Sequence, residues 1–538
     1  MSQPDSQVNA PGAIRAIANT GFSRRGFLRA VGIGGTAILG SQLLAACGDS
    51  SGSGAGGAAD PDATLTAAYH LATTSLDPLL MTTGQFVTFM YPMYDTLLQL
   101  DENAAPSPML ATEWEYSGDG KQLKLTLRDD VKFHDGTAFD AETVKVNIER
   151  VLKTETSSVF TQAKSIDSVT VESPTVAVLN LNTPDATLLG VLADRIGAMV
   201  SPKAIADGVD LGVTDAGSGA YTMVEFQQGA HTYYERFDGY WNPSVQAVKR
   251  IELMSVNDGQ ARLNGVQTGS YDLAYVTPTQ FQAAEGAGLG TSEGASLWFL
   301  NIALNRQGPL ADPKVRQAIS YSIDRDEIAK SIYFGLAEPT SACFPEWYWA
   351  GNPDIPADYF TYDTEKAKQL LQEAGHEDLE FELIFAAGSD PYPQFAEILQ
   401  SQMKGSGITL NVKAVDINQL AVDFSGGKAQ SLLGGGGQAT DPSLWLETMF
   451  AKNGFFNPAG EIEPEVEDAL TALRTTTDPD QRAQAAMELT GLVAELALNV
   501  PIVIPKVLTA YSTQRIADYT TAPFGAILPL VGVEVMSG

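Results

Sequence analysis

Apolar and polar positions alternate after Asp119-Gly120: Leu123, Leu125 and Leu127 interleave with Lys124, Thr126 and Arg128. A period of two after a turn signal predicts a half-buried strand. Asp135-Gly136 makes a second turn, and the period then lengthens. Val144, Ile148 and Val151 mark one face of a helix, with Asp140 as its cap and Glu142 in its first turn. Trp298 to Leu304 is nearly all apolar, which predicts a strand covered on both faces. Asp312-Pro313 opens a helix with Val315, Ala318 and Ile319 on its inner stripe. Asp324 with Glu327 reads as a capping box for the next helix, which stops near Gly335. Asp363 caps a further helix through Ala367, Leu370 and Leu371, ending at Gly375. Strands and helices mix along the whole chain without a sustained repeat, so the fold class is α/β and repeat architectures are excluded.

The first 62 residues break this pattern. Arg24 and Arg25 precede Phe27, Leu28 and Arg29, and no charge follows before Cys47. An arginine pair before a short uncharged run reads as a twin-arginine export leader. Leu44-Ala45-Ala46-Cys47 looks like a lipoprotein processing site, which implies lipid attachment at Cys47. The run contains Gly32, Gly34, Gly35, Gly40, Ser41 and Gln42 and falls short of the roughly 20 apolar residues a spanning helix needs. Residues 1–46 are thus expected to be a signal peptide, and 47–62 a Gly/Ser-rich tether. Gly48-Asp49-Ser50-Ser51-Gly52 matches the serine-hydrolase pattern by chance, since it lacks the preceding strand and following helix that would strain the serine.

The chain has 538 residues and a net charge of −32. Arg15, Arg24, Arg25 and Arg29 against Asp5 give the leader +3, so the remainder carries −35. Such a surface repels nucleic acid and anionic lipid, which excludes a nucleic-acid role. With Cys47 lipidated, Cys343 has no partner for a disulfide. His70, His134, His231 and His376 are scattered, with no metal-ligand spacing, so no metal or cofactor is expected.

Four blocks carry a family resemblance. LKLTLRDDVKFHDGTAFDAETVKVNIER resembles the signature of family 5 extracellular solute-binding proteins, the peptide and nickel receptors of ABC importers. DPKVRQAISYSIDRDEIAKSIYFGLAEP, AGSGAYTMVEFQQGAHTYYERFDGYWN and YDTEKAKQLLQEAG are similar to further blocks, with Ala220 where the family usually has proline. The resemblance implies a two-lobed, periplasmic-binding-protein-like fold. Residues 63–296 would form lobe I, 297–500 lobe II, and 501–538 a return to lobe I. Two strands would cross between the lobes, near Trp298–Asn305 and Pro501–Leu508, allowing hinge closure over a ligand. His134 reads as a framework residue of the signature.

By resemblance, three stretches line the pocket: the loop His70–Met81 with Thr73 and Ser75; Phe385–Tyr392 with Ala386; and Gly434–Trp445. In the last, Gly435, Gly436 and Gly437 would let ligand approach the backbone. Trp298 and Trp445 offer flat faces to apolar or cationic groups. Gln438 stands where peptide receptors of the family place the aspartate that binds a peptide amine. A neutral amide makes no charge-assisted bond to an ammonium. The Phe385–Tyr392 stretch also lacks the arginine that holds the carboxylate in dipeptide receptors. Asp390 and Asp441 are the remaining acidic candidates, although Asp441-Pro442 reads equally well as a helix start. The expected activity is solute capture outside the membrane and delivery to ABC permease subunits, by a monomer anchored through Cys47, with no nucleic-acid partner. The solute is a peptide or peptide-like, with a metal chelate, opine or glycoside as the alternative. A lipid-anchored hydrolase is the competing class, but no nucleophile, base and orienting group occur together outside the tether.

Overall fold

The computed structural model describes residues 57–82, 84–388, 391–437, 439–521 and 527–537. The leader, Cys47, most of the tether, Asp390 and Gln438 lie outside the described residues. None of the described helices is long and apolar enough to cross a membrane.

The frame is two large sheets with a smaller one attached. The seven-stranded sheet runs Gly290–Gly294, Val507–Tyr511, Leu273–Tyr275, Thr64–Tyr69, Arg250–Ser255, His231–Arg236, Tyr221–Gln227. Thr64–Tyr69 lies at its centre, parallel to both neighbours, which fits its largely buried apolar sequence. The six-stranded sheet runs Ala337–Pro339, Asn499–Pro505, Phe299–Leu304, Ser431–Gly436, Glu380–Ala386, Thr409–Val415. Every residue of Phe299–Leu304 is buried, because one apolar cluster packs on each face. A four-stranded antiparallel sheet built from residues 111–181 carries the alternating strand Gln122–Leu127.

The chain passes between the two large sheets twice, through residues 295–298 and through Lys506 alone. The passages are adjacent, because Gly290–Gly294 pairs with Val507–Tyr511 and Lys506 Nζ lies 2.6 Å from Glu293 Oε2. Two lobes joined by two neighbouring crossings are the expected architecture. Pro501 donates no ladder hydrogen bond and sits where the pairing with Phe299–Leu304 slips by a residue at Leu300/Asn301. Its carbonyl accepts from Arg325 Nε at 3.0 Å.

The framework residues of the sequence blocks occupy the expected positions. Asp140 caps Ala141–Lys153 in a reciprocal box with Thr143, and Val144, Ile148 and Val151 are buried. Asp312 caps Pro313–Tyr321, and Asp363 caps Thr364–Ala374, which ends at Gly375 with φ +72°. Asp324 caps Arg325–Ser331 through the Glu327 amide. The reciprocal half of that box is replaced: Asp324 N donates to Gln402 Oε1, and Glu327 Oε2 accepts from Gln402 Nε2. A tertiary partner takes the bonds that a local cap would make. His134 bridges two loops, with Nδ1 2.7 Å from Asp215 Oδ1 and Nε2 2.9 Å from the Gly219 carbonyl.

Candidate functional site

The glycine run is the end of a strand, and its neighbours explain its composition. Phe299–Leu304 pairs with Ser431–Gly436 so that Phe299 opposes Gly436 and Leu300 opposes Gly435. A Cβ on Gly435 would lie 2.2 Å from the Trp298 ring, and one on Gly436 would lie 2.3 Å from Trp445 Nε1. Successive residues of a strand face opposite sides, so the two indoles cover opposite faces of one bare backbone. Gly437 has φ +91°, and a Cβ there would meet the Leu297 carbonyl at 2.2 Å. At these three positions the missing side chains make room for protein groups. Trp445 is buried, edge-on to Phe299 at 4.9 Å, in a cluster that also holds Ala386. Trp298 is half-buried.

This arrangement predicts a sharp contrast between neighbouring glycines. Gly436→Ala forces the Trp445 ring to shift and is expected to cost about 1–3 kcal/mol, read by denaturant unfolding. Gly434→Ala meets nothing closer than 3.8 Å and should change stability little. Equal effects at the two positions would contradict the assignment of the indole to the Gly436 face.

Thr73 and Ser75 lie in the other lobe and use their hydroxyls locally. Thr73 Oγ1 donates to the Ser75 carbonyl at 2.7 Å, and Ser75 Oγ accepts from Asp77 N at 3.2 Å. Asp441 is also committed. It accepts from Ser443 N at 2.9 Å as a helix cap, and both of its oxygens bind Arg482 Nη2, at 2.8 and 2.7 Å. The helix-start reading of Asp441-Pro442 therefore holds, and its carboxylate faces a buried arginine.

A cavity of about 550 Å³ lies where the lobes meet. On one side are Tyr91, Tyr94, Asp95, Asp194, Arg195 and Trp241; opposite stand Leu297, Ala439, Thr440 and Leu444, with residues 527–532 closing part of the rim. None of the described candidates Thr73, Ser75, Trp298, Ala386, Gly435, Gly436, Gly437 and Trp445 lines it. Trp298 and Trp445 directly adjoin the wall residues Leu297 and Leu444 in sequence, whereas Thr73 and Ser75 lie on a loop that lines none of the cavity. The wall residues were accessible to sequence reading through one signal, two adjacent charges inside the apolar run VLADRIGAMV.

Asp95 is the most perturbed acid of the cavity. Burial pushes its carboxyl up to about 7, against the pull of hydrogen bonds from Trp241 Nε1 at 2.9 Å and Tyr240 Oη at 3.0 Å. A raised folded value means that the native state binds the proton more tightly than the unfolded chain. Its contribution is complete below the ordinary carboxylate range and is lost as pH rises to about 7. Asp95→Asn should therefore gain on wild type by a few kcal/mol, order of magnitude, between pH 4 and 8, measured as paired unfolding curves. A pH-independent difference would rule out ionisation of Asp95 as the cause.

Across the lobe boundary, Arg474 Nη2 lies 3.0 Å from Asp185 Oδ2, while its Nη1 lies 2.6 Å from Glu447 Oε2 on its own side. The Arg474 carbonyl accepts from Ala186 N at 2.7 Å, and a Cβ on Gly190 would meet the Thr440 carbonyl at 2.5 Å. The contacts of Asp185, Ala186 and Gly190 with residues 440 and 474 join the two lobes beside the cavity. Cys343 is buried, and burial pushes its thiol up to about 12, far from a reactive thiolate. No cluster of metal ligands occurs among the described residues.

The chain matches the family model "Bacterial extracellular solute-binding proteins, family 5 Middle" over residues 105–457. It is 28% identical over 456 residues to the glutathione-binding protein GsiB of Salmonella paratyphi A, covering 82% of this chain and 88% of that protein. The fold is similar to DppA from Helicobacter pylori in complex with the peptide STSA, with TM-score 0.71, 20% identity, and coverage of 88% of this chain and 98% of that chain. It is also similar to NikZ from Campylobacter jejuni in complex with Ni(L-His), with TM-score 0.71, 24% identity, and coverage of 86% and 97%. A receptor cleft between two lobes and a family match across most of the chain agree, and the chain belongs to the family 5 bacterial extracellular solute-binding proteins.

Proposed function

We propose that this chain captures a peptide or peptide-like solute in the cavity between its lobes and delivers it to the membrane permease of an ABC importer. The observation that carries the reading is the cavity itself, walled by Tyr91 and Trp241 from one lobe and by Leu297, Thr440 and Leu444 from the other. Its volume of about 550 Å³ suits a solute of a few residues. A solute touching both lobes stabilises the closed form in proportion to the contacts that only that form makes. The relatedness to glutathione-binding proteins favours a small peptide over the alternatives of a metal chelate, opine or glycoside.

Lobe I is taken as 63–296 with the return 501–538, and lobe II as 297–500. Trp298, Ala386, Gly435, Gly436, Gly437 and Trp445 set the position of the lobe II wall, and Thr73 and Ser75 shape the loop of the opposite lobe. Gln438 directly precedes the wall residues Ala439 and Thr440 in sequence, which keeps it a candidate for contact with the solute. The arginine pair and the Leu-Ala-Ala-Cys sequence support export through the twin-arginine route and a lipid anchor at Cys47 on the extracytoplasmic face. A monomer suffices for this work, since both walls of the cavity come from one chain.

Thermal shift of the purified chain against dipeptides, longer peptides, glutathione, metal chelates and opines tests the proposal. A solute at about 100 times its Kd adds roughly 2.7 kcal/mol. Absence of any shift across all classes would overturn the receptor reading.

A further inference from the structure

The cavity contains a charged pair whose hydrogen-bonding needs the protein leaves open. Asp194 and Arg195 both line it, although they are only 9% and 7% exposed. Arg195 is pinned from behind, with Nη1 donating to the Met81 carbonyl at 2.5 Å and to Ser158 Oγ at 3.2 Å. Its Nη2 makes no hydrogen bond among the described residues and is not sealed from solvent, whereas its Nε–H is buried and has no hydrogen-bond partner. The neighbouring carboxylate oxygen, Asp194 Oδ2, stands 3.7 Å from that nitrogen, too far for a hydrogen bond. Among the described residues, no other side chain pairs with the Asp194 carboxylate. Two charged groups on largely buried residues, left apart, carry a desolvation penalty that their loose contact repays poorly.

The missing groups define a ligand. Asp194 wants a cationic donor and Arg195 Nη2 wants an anionic acceptor, and the two residues lie close enough to be served from one carbon atom. Resting on the receptor reading above, we infer that Asp194 and Arg195 form the head-group site for a free α-amino-acid group, an ammonium and a carboxylate on the same carbon. The ammonium bonds Asp194 and the carboxylate bonds Arg195, replacing one loose ion pair by two charge-assisted hydrogen bonds. Tyr91, Leu100, Met109 and Leu444 line the remainder for the body of the solute. The ordinary amino end of an α-peptide offers the ammonium but only a neutral carbonyl beside it. The site therefore prefers solutes whose amino-acid head is free, such as a γ-glutamyl peptide, over isomers joined through the α-carboxyl.

Calorimetric titration of the purified full-length chain with γ-Glu-Cys-Gly and with its isomer α-Glu-Cys-Gly separates the two. The γ isomer is expected to bind at least about 10-fold more tightly, the worth of one charge-assisted bond over a neutral one. Asp194→Asn, which keeps the side-chain shape, should lose about 10-fold or more for the γ isomer and erase the preference. Arg195→Lys keeps the charge but not the guanidinium Nη2 and should weaken the γ isomer similarly, with a melting curve confirming that each variant folds. Equal affinity for the isomers, or unchanged γ affinity in both variants, overturns the head-group site while leaving the receptor reading intact. Binding of neither isomer overturns it too, and the receptor reading then stands or falls on the wider thermal-shift panel.

Discussion

Arg474→Ala is expected to open the two lobes and to weaken solute binding by roughly 10- to 100-fold, through loss of about 1.4–2.7 kcal/mol from the closed form. Asp185 is fully buried, and Arg474 provides its ion pair at 3.0 Å. Its other oxygen already accepts from Thr187 N at 3.1 Å and Thr187 Oγ1 at 2.6 Å, so the carboxylate stays held in place when the arginine goes. A buried charge without its counter-charge favours any motion that rehydrates it, and here separation of the lobes does so. Burial raises the Glu447 carboxyl against the pull of Arg474, so the truncation also favours its neutral form. The effect should appear as a larger radius of gyration in X-ray scattering and as weaker binding, with each lobe still folded. Arg474→Lys should fall in between, because a point charge cannot serve both carboxylates with the fixed geometry of a guanidinium. Unchanged scattering and affinity in Arg474→Ala would show that these contacts do not govern closure.

The framework was legible wherever local physics and tertiary packing agree. The alternation at Leu123, Leu125 and Leu127 needs only one buried face, and the three leucines are buried in the four-stranded sheet. Asp140, Asp312 and Asp363 cap helices with bonds to residues two or three positions away, so their roles are written in the adjacent sequence. The site was harder to read because its partners are distant in sequence. Four glycines at 434–437 carry no sign of the two indoles that fill the space at Gly435 and Gly436, one of them from Trp298 more than a hundred residues earlier. Glu327 has the right spacing for a capping box, but Gln402 approaches from another helix and takes its carboxylate. The Asp194-Arg195 pair carries one local signal, two charges in an apolar run, which does not by itself mark a site. Its exposure to a cavity depends on how residues 84–109 and 439–444 fold around it. Local rules set the elements, and long-range contacts decide which polar groups remain for a ligand.

Asp441→Ala should be among the most damaging single substitutions in the chain, at about 3–5 kcal/mol, because it breaks a buried pair and leaves one charge behind. Among the described residues, Arg482 would keep Ser443 Oγ at 3.2 Å, the Leu473 carbonyl at 3.0 Å and the face of Trp349 at 5.1 Å. The same change removes the cap of Pro442–Phe450, worth about 1 kcal/mol and not additive with the pair. Asp441→Asn retains an oxygen for the Ser443 amide and should cost less, since the cap survives while the charge pairing does not. Replacing both members, as in Asp441→Leu with Arg482→Met, removes the stranded charge and should recover much of the loss. Urea unfolding of the three variants orders them as Asp441→Ala, then Asp441→Asn, then the double variant, from least to most stable. That order separates a structural aspartate from a ligand-binding one. A carboxylate kept for a solute ammonium would leave unbound stability nearly unchanged on mutation and remove binding instead. Here the unbound protein should suffer first, and affinity should fall because Thr440 and Leu444 flank the cap and carry the cavity wall with them.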